Sequence, residues 1–259
     1  MPPTPAPGLR QIEIGCRDLD RSADFYQRLL GFRPLPDAPR PTGRSRLLSH
    51  GTVVLELVEV GAEGNQGGWV NEDLQGGIRH LGMKVADVDR QIERLEDAGV
   101  TVLSQPLDVL GDVRIAFFLD PDGARLEFIQ GNLSYQQISS PSLAAAEARQ
   151  RAGEEPRFDH VAVTVSDLPA ALAFWRDRFG FEAIGQIRHH GDPRGFLMTY
   201  LQAGQAVLEV FSFDVPTVAN DLSAAGTSVL GPRRLVLDGA GGQQLIAPDG
   251  VPVTTGESR

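Results

Sequence analysis

The segment Asp18-Leu19 followed by Phe25-Tyr26-Gln27-Arg28-Leu29-Leu30-Gly31-Phe32 recurs as Asp167-Leu168 followed by Phe174-Trp175-Arg176-Asp177-Arg178-Phe179-Gly180-Phe181. The offset is a constant 149 residues, from Asp18 to Asp167 and from Gly31 to Gly180. A second offset of 127 residues joins Glu93–Leu103 to Asn220–Leu230, and Asp120-Pro121-Asp122-Gly123 to Ala247-Pro248-Asp249-Gly250. A chain that repeats itself at fixed spacing folds as copies of one unit, and this constrains the architecture more than any composition does.

Each half is itself doubled. Segments opening at Gln11, His80 and His160 share one plan: a short alternating strand, an Asp, an amphipathic helix of about a dozen residues, a Gly, then about three strands. Apolar residues fall at i, i+4, i+7 and i+11 as Leu19, Ala23, Tyr26 and Leu30, and as Leu168, Leu172, Trp175 and Phe179. The second unit uses Val88, Ile92, Leu95 and Ala98. Asp18, Asp87 and Asp167 sit where helix N-caps belong, and Gly31, Gly99 and Gly180 where helices stop. The fourth module is shortened. Glu56 and Glu209 lie 153 residues apart, whereas the fourth module's matches sit at 127, which leaves 26 residues missing and Val207–Phe213 claimed by two modules. The expected loss is the opening strand.

The length of 259 residues suits two domains of about half the chain each. A content of 41% hydrophobic and 22% charged residues predicts a folded chain. The net charge of -10, with no Lys/Arg-rich run, argues against nucleic acid and against anionic membranes. No apolar run approaches the roughly 18 residues that read as a membrane span. The single Cys16 excludes an internal disulfide and a cysteine-cluster zinc site, and makes the cytoplasm the expected compartment. Residues 1–8 read as a proline-rich, flexible lead-in, 9–132 as a first domain (modules 9–60 and 77–132), 133–156 as a linker and 157–259 as a second, degenerate domain.

Period-two alternation puts Gln11, Glu13 and Gly15 on one face of the first strand, with Ile12, Ile14 and Cys16 on the other. The polar faces of the other two opening strands carry His80, Gly82 and Lys84, and His160, Ala162 and Thr164. The closing strands each carry one carboxylate in an apolar run: Glu56, Glu127 and Glu209. A lone glutamate in such a strand usually points to solvent or pairs with an arginine. Three at equivalent positions, each matched to a His or Gln, point instead to a shared site whose desolvation is compensated by a metal, a cation or several donors.

On these residues the chain resembles the vicinal oxygen chelate superfamily of glyoxalases, bleomycin-resistance proteins and extradiol dioxygenases. The resemblance rests on the opening-strand His/Gln, Asp-Leu before the helix, Phe-Tyr followed by Leu-Gly-Phe, Asp-Pro-Asp-Gly and the closing Leu-Glu. It implies an α+β fold of four βαβββ modules forming two curled mixed sheets with flanking helices, the fourth truncated. It implies one divalent metal ion (Zn, Ni, Mn, Co or Fe) held by an opening-strand and a closing-strand ligand from each of two modules. Pairing of sequence neighbours gives Gln11, Glu56, His80 and Glu127, the preferred set because it falls within one compact half. Exchange of partners gives His80, Glu127, His160 and Glu209. The implied activity is that of a metal-dependent lyase or isomerase acting through an enediolate on a small molecule with two adjacent oxygens, with Glu127 or Glu56 as base.

An extradiol-type ring-cleaving dioxygenase is the first alternative, although the tyrosine of that motif falls on Phe117. A metal-free protein that sequesters a small molecule or antibiotic is the second. The arginine that glutathione-using members carry four residues after the opening-strand ligand falls on Gly15, Lys84 and Thr164, which leaves glutathione open, as is a homodimer. His189-His190 read as a surface hairpin tip, His50 as a turn residue, Gly239-Ala240-Gly241-Gly242 as a hairpin and not a phosphate loop, and Cys16 as buried and inert.

Overall fold

The structure is a computed structural model, and it describes residues 8–36, 43–60, 72–109, 112–150, 156–220, 229–239 and 242–256. The helical match at 221–228 and the lead-in at 1–7 lie outside the described residues. Module one comprises β1 (Leu9–Cys16), α1 (Leu19–Leu30), β2 (Arg33–Pro34), β3 (Ser45–Ser49) and β4 (Val54–Glu59). Module two comprises β5 (Gly77–Lys84), α2 (Val88–Asp97), β6 (Leu107–Asp108), β7 (Arg114–Leu119) and β8 (Arg125–Gln130). The connecting segment carries β9 (Gln137–Ile138) and α3 (Pro141–Ala148). Module three follows as β10 (Arg157–Thr164), α4 (Leu168–Phe179), β11 (Glu182–Arg188), β12 (Leu197–Ala203) and β13 (Ala206–Ser212). The remainder is β14 (Gly231–Asp238), β15 (Gln244–Ile246) and β16 (Pro252–Gly256).

The helices form where the periodicity places them, for local reasons. Asp18, Asp87 and Asp167 accept hydrogen bonds from first-turn backbone N–H groups at 2.9–3.0 Å, which satisfies donors that a helix start leaves unpaired. Gly31 and Gly180 close α1 and α4 in the left-handed conformation, at φ 75° and 68°, where a side chain would be strained. The apolar stripes Leu19, Ala23, Tyr26 and Leu30, and Val88, Ile92 and Leu95, are buried; Ala98 is exposed. Ile12, Ile14 and Cys16 face the core as alternation requires, and burial pushes the Cys16 thiol up to about 12, so it stays protonated. Among the described residues no helix is long and apolar enough to cross a membrane.

The two curled sheets do not follow the sequential division into 9–132 and 157–259. One has seven strands in the order β15-β16-β14-β1-β4-β3-β2, and the other nine, in the order β6-β7-β8-β5-β10-β13-β12-β11-β9. Module two therefore pairs with module three, through antiparallel β5 and β10, and module one pairs with the shortened fourth. Sequence neighbours are joined differently, by a helix on a turn. Tyr26 on α1 donates its hydroxyl to Asp120 at 3.0 Å, and Ser22 and Arg17 bond Asp122 of the same module-two turn. Helix α4 likewise packs on the equivalent Pro248–Gly250 turn. There the positions matching Tyr26 and Asp120 hold Trp175 and Ala247, both buried, so a polar pair is replaced by an apolar one. The linker is built into the fold: β9 extends the nine-stranded sheet at β11, and α3 rests beside it.

Among the described residues the fourth module has no opening strand of the repeat type, and β14 takes its place. By the 127-residue offset, the short edge strand β6 falls on Arg234 and Leu235, inside β14. Yet β14 lies antiparallel to β1 and parallel to β16, as β10 lies to β5 and β13. Without it β1 would expose an unpaired edge. Val207–Phe213, which both modules could claim, belongs to module three as β13 and its following residue. Glu13 of β1 and Arg233 of β14, both buried, form an ion pair with Arg233 Nε donating at 2.5 Å. Replacing one partner strands a buried charge. Arg233→Met is expected to cost about 3–5 kcal/mol in urea denaturation, whereas Glu13→Leu combined with Arg233→Met recovers most of that loss.

Candidate metal centre

The pairing of β5 with β10 brings two histidines face to face. In this register His160 stands opposite Gly82 and His80 opposite Ala162, so each imidazole lies over a small residue on the neighbouring strand. The space is needed: a Cβ placed on Gly82 would fall 2.0 Å from the His160 ring. The closing strands flank this pair. Glu127 of β8 is in register with Gly82, and Glu209 of β13 with Ala162.

All four side chains are buried, and their nearest donor atoms lie within 4.8 Å of one another. His80 Nε2 is 3.1 Å from His160 Nε2; Glu127 Oε2 is 3.1 and 2.9 Å from the two, and Glu209 Oε2 is 3.6 and 3.5 Å from them. Donors at about 2.1 Å around one cation are separated by about 3.0 Å in an octahedral and about 3.4 Å in a tetrahedral arrangement. The set therefore fits a divalent cation, and its two nitrogens and two carboxylates suit Zn, Ni, Mn, Co and Fe alike.

His160 has an orienting partner. Its Nδ1 lies 3.1 Å from Asp159 Oδ2, and Asp159 Oδ1 accepts from Arg157 at 2.6 Å. Adjacent residues normally face opposite ways along a strand, but an irregularity in pairing between Phe158 and His160 lets Asp159 and His160 share the cavity. His80 Nδ1 has no partner among the described residues. Burial disfavours charge on both imidazoles; it prevails at His80, whose pKa is lowered, whereas the Asp159 and Glu127 carboxylates outweigh it at His160 and raise that pKa well above the usual value. Burial likewise works to raise both glutamates. The two histidines overcome it at Glu127, which is held down, and it wins at Glu209, which is pushed up.

Gln11 and Glu56 are elsewhere. They lie in the seven-stranded sheet, where Gln11 Nε2 donates to Glu56 Oε2 at 2.6 Å. The grouping of Gln11 and Glu56 with His80 and Glu127 is thus corrected: the structure brings together the other set, and Glu56 is not beside His80. The physical reason lies two residues along each strand. Gly82 and Ala162 make room for a facing imidazole, but the same place after Gln11 holds Glu13, already paired with Arg233. Across β1, the position matching His160 is Arg234, and the one matching Glu209 is Thr254, to whose Oγ1 Arg234 donates at 3.5 Å. A fixed guanidinium and an amide stand where the nine-stranded sheet has imidazoles.

The cluster opens into a cavity of about 270 Å3 whose wall is largely apolar. Phe117 and Phe211 stand 5.5 and 5.7 Å from the His80 ring, and Tyr200 lies opposite Glu209 as Phe117 does opposite Glu127. Among the cavity residues that escaped the reading of the sequence are Asp159, Glu147 and His189. Asp159 was signalled only by its place before a candidate histidine, and Glu147 sits in what reads as a plain linker helix. His189 reads as a surface hairpin tip, but it lines the cavity and stacks on Phe196 at 5.5 Å.

The family model described as Glyoxalase/Bleomycin resistance protein/Dioxygenase superfamily matches residues 8–128 and 157–230. A lactoylglutathione lyase of Neisseria meningitidis is 34% identical over 122 residues, which span 44% of this chain and 83% of that protein. The anthracycline biosynthesis protein DauV of a Streptomyces is 31% identical over 118 residues, 44% of this chain and 43% of that one. Among solved structures, glyoxalase I from Zea mays superposes with a TM-score of 0.72 at 17% identity, covering 97% of this chain and 92% of the other.

Gly82→Ala should therefore leave the fold intact by circular dichroism while displacing His160 and abolishing tight metal uptake in equilibrium dialysis. The raised pKa of His160 favours its protonated form, and a cation binding at Nε2 would displace that proton. Metal uptake should strengthen as pH rises and release at least about one proton at pH 7, read by calorimetry in buffers of different ionisation enthalpy.

Proposed function

The chain belongs to the Glyoxalase/Bleomycin resistance protein/Dioxygenase superfamily, and on that footing we propose that it is a glyoxalase-like lyase or isomerase whose single divalent-metal site is His80, Glu127, His160 and Glu209. The observation that carries this reading is the convergence of two imidazoles and two carboxylates, all buried, whose donor atoms lie within 4.8 Å of one another on the wall of one cavity. A divalent cation held by His80, Glu127, His160 and Glu209 would supply Lewis acidity toward two adjacent substrate oxygens.

The protein's own groups do the rest. Glu127 and Glu209 lie on strands to either side of the β5/β10 pair, so a carboxylate is available at each flank of the substrate: one to take the carbon-bound proton and one to return it. The base role considered for Glu56 passes to Glu209. Asp159 fixes the ring of His160 through Nδ1, which holds Nε2 toward the centre. Phe117, Phe211 and Val207 line the wall and keep water from the reacting carbon.

A second reading has one observation in its favour. The hydroxyl that ring-cleaving chemistry would place at Phe117 is present across the site as Tyr200, opposite Glu209. Oxygen consumption with catechols by iron-loaded protein would move the assignment there.

The test is elemental analysis of the purified chain together with exchange of the carbon-bound proton of a small α-hydroxyketone in D2O, followed by NMR. Wild-type protein should hold one divalent cation per chain and catalyse exchange. His160→Ala should lose both, Gln11→Ala should keep both, and Asp159→Ala should weaken metal affinity by about 10–100-fold. Loss of metal in Gln11→Ala with retention in His160→Ala would refute the assignment.

A further inference from the structure

One flank of the cavity is built by the segment that joins the two halves. Helix α3 brings Glu147, 4% exposed, to the cavity wall, where its Oε1 meets Lys84 Nζ at 3.2 Å. Lys84 is equally buried. The second carboxylate oxygen, Oε2, is buried with no hydrogen-bond partner among the described residues. A buried carboxylate with one oxygen unpaired favours a hydrogen-bond donor beside it over a second carboxylate.

The cations around the cavity are already held. Arg125, the one arginine among the described lining residues, donates to Asp73 at 2.7 Å and lies over the Phe117 ring at 4.3 Å. Arg157 is held by Asp159 and Lys84 by Glu147. A carboxylate tail entering here meets Asp73, Glu147 and Asp159, all on the cavity wall. The remaining wall is apolar and rich in rings, with Ile115, Phe117, Ile187, Phe196 and Phe211. A volume of about 270 Å3 falls at the small end of ligand cavities and suits a single-ring body.

We propose that Glu147 sets the charge selectivity of this site: the chain takes an aromatic, apolar-bodied substrate whose far end carries an uncharged or cationic hydrogen-bond donor, and it rejects carboxylate-bearing substrates such as glutathione conjugates. The placement of the substrate's chelating end rests on the metal-centre reading above; the selectivity rests on Glu147, Lys84 and the walls.

Hydroxamates test both, because they chelate through two adjacent oxygens. On the zinc-loaded full chain, 4-(aminomethyl)benzohydroxamic acid is expected to bind at least about tenfold tighter than 4-carboxybenzohydroxamic acid by calorimetry. Glu147→Gln should shrink that ratio to within about threefold, and so should the double variant Lys84→Met with Glu147→Gln, which avoids stranding the buried ammonium. A wild-type ratio near one, a preference for the carboxylate, or a ratio unchanged in both variants overturns the proposal. If unsubstituted benzohydroxamate fails to bind, the metal reading falls instead, and the metal-free chain decides selectivity alone. There, N-phenyl-1-naphthylamine fluorescence should be displaced by benzylamine and not by benzoate; equal displacement, or displacement by benzoate alone, overturns the proposal.

Discussion

Antiparallel pairing of β5 with β10 is the contact on which both the nine-stranded sheet and its chemistry depend. It joins strands from different halves of the chain, and its register sets His80 over Ala162 and His160 over Gly82. A slip of one residue would put the two imidazoles on opposite faces of the sheet. The pairing also concentrates cost: two imidazoles and two carboxylates are withdrawn from water within a few ångströms of one another. The two histidines hold Glu127 down, the surrounding carboxylates push His160 up, and burial pushes Glu209 up. A cation bound among them would offset that cost.

The seven-stranded sheet shows the architecture stripped of this chemistry. β14 holds the opening strand's place between β16 and β1, but it brings Arg233 and Arg234 in place of a ligand. One arginine neutralises Glu13, and the other sits at the position that corresponds to His160. With a covalently attached cation in that sheet, Gln11 and Glu56 satisfy each other. The sheet keeps its stability and its role as a platform for α1, whose Tyr26 reaches across to the Asp120 turn of module two.

Much of this was legible in the repeats. Fixed offsets located the modules, the capping aspartates, the stopping glycines and all six candidate polar residues, because those features depend on local spacing. Which modules share a sheet was not legible from spacing, since strand pairing between distant segments is decided by side-chain fit across the interface. The compactness of the first half argued for a set that the fold does not bring together. A finer signal was present: His80 and His160 are each followed two residues later by Gly82 and Ala162, whereas Gln11 is followed by Glu13. Only the first two strands leave room for each other's ring. Glu147 and His189 carried no comparable signal, because their burial comes from the packing of a linker helix and a hairpin end against a cavity that other elements build.

The exchange of partners divides the donors evenly, with His80 and Glu127 before α3 and His160 and Glu209 after it. Neither half holds more than a bidentate fragment, and two donors bind a divalent ion weakly. In the proposed four-donor site the chelate effect would thus be supplied by chain connectivity, which holds the halves at high effective concentration. Were the backbone opened between α3 and β10, metal affinity would become a property of the association of two fragments, and the ion would act as their cross-link.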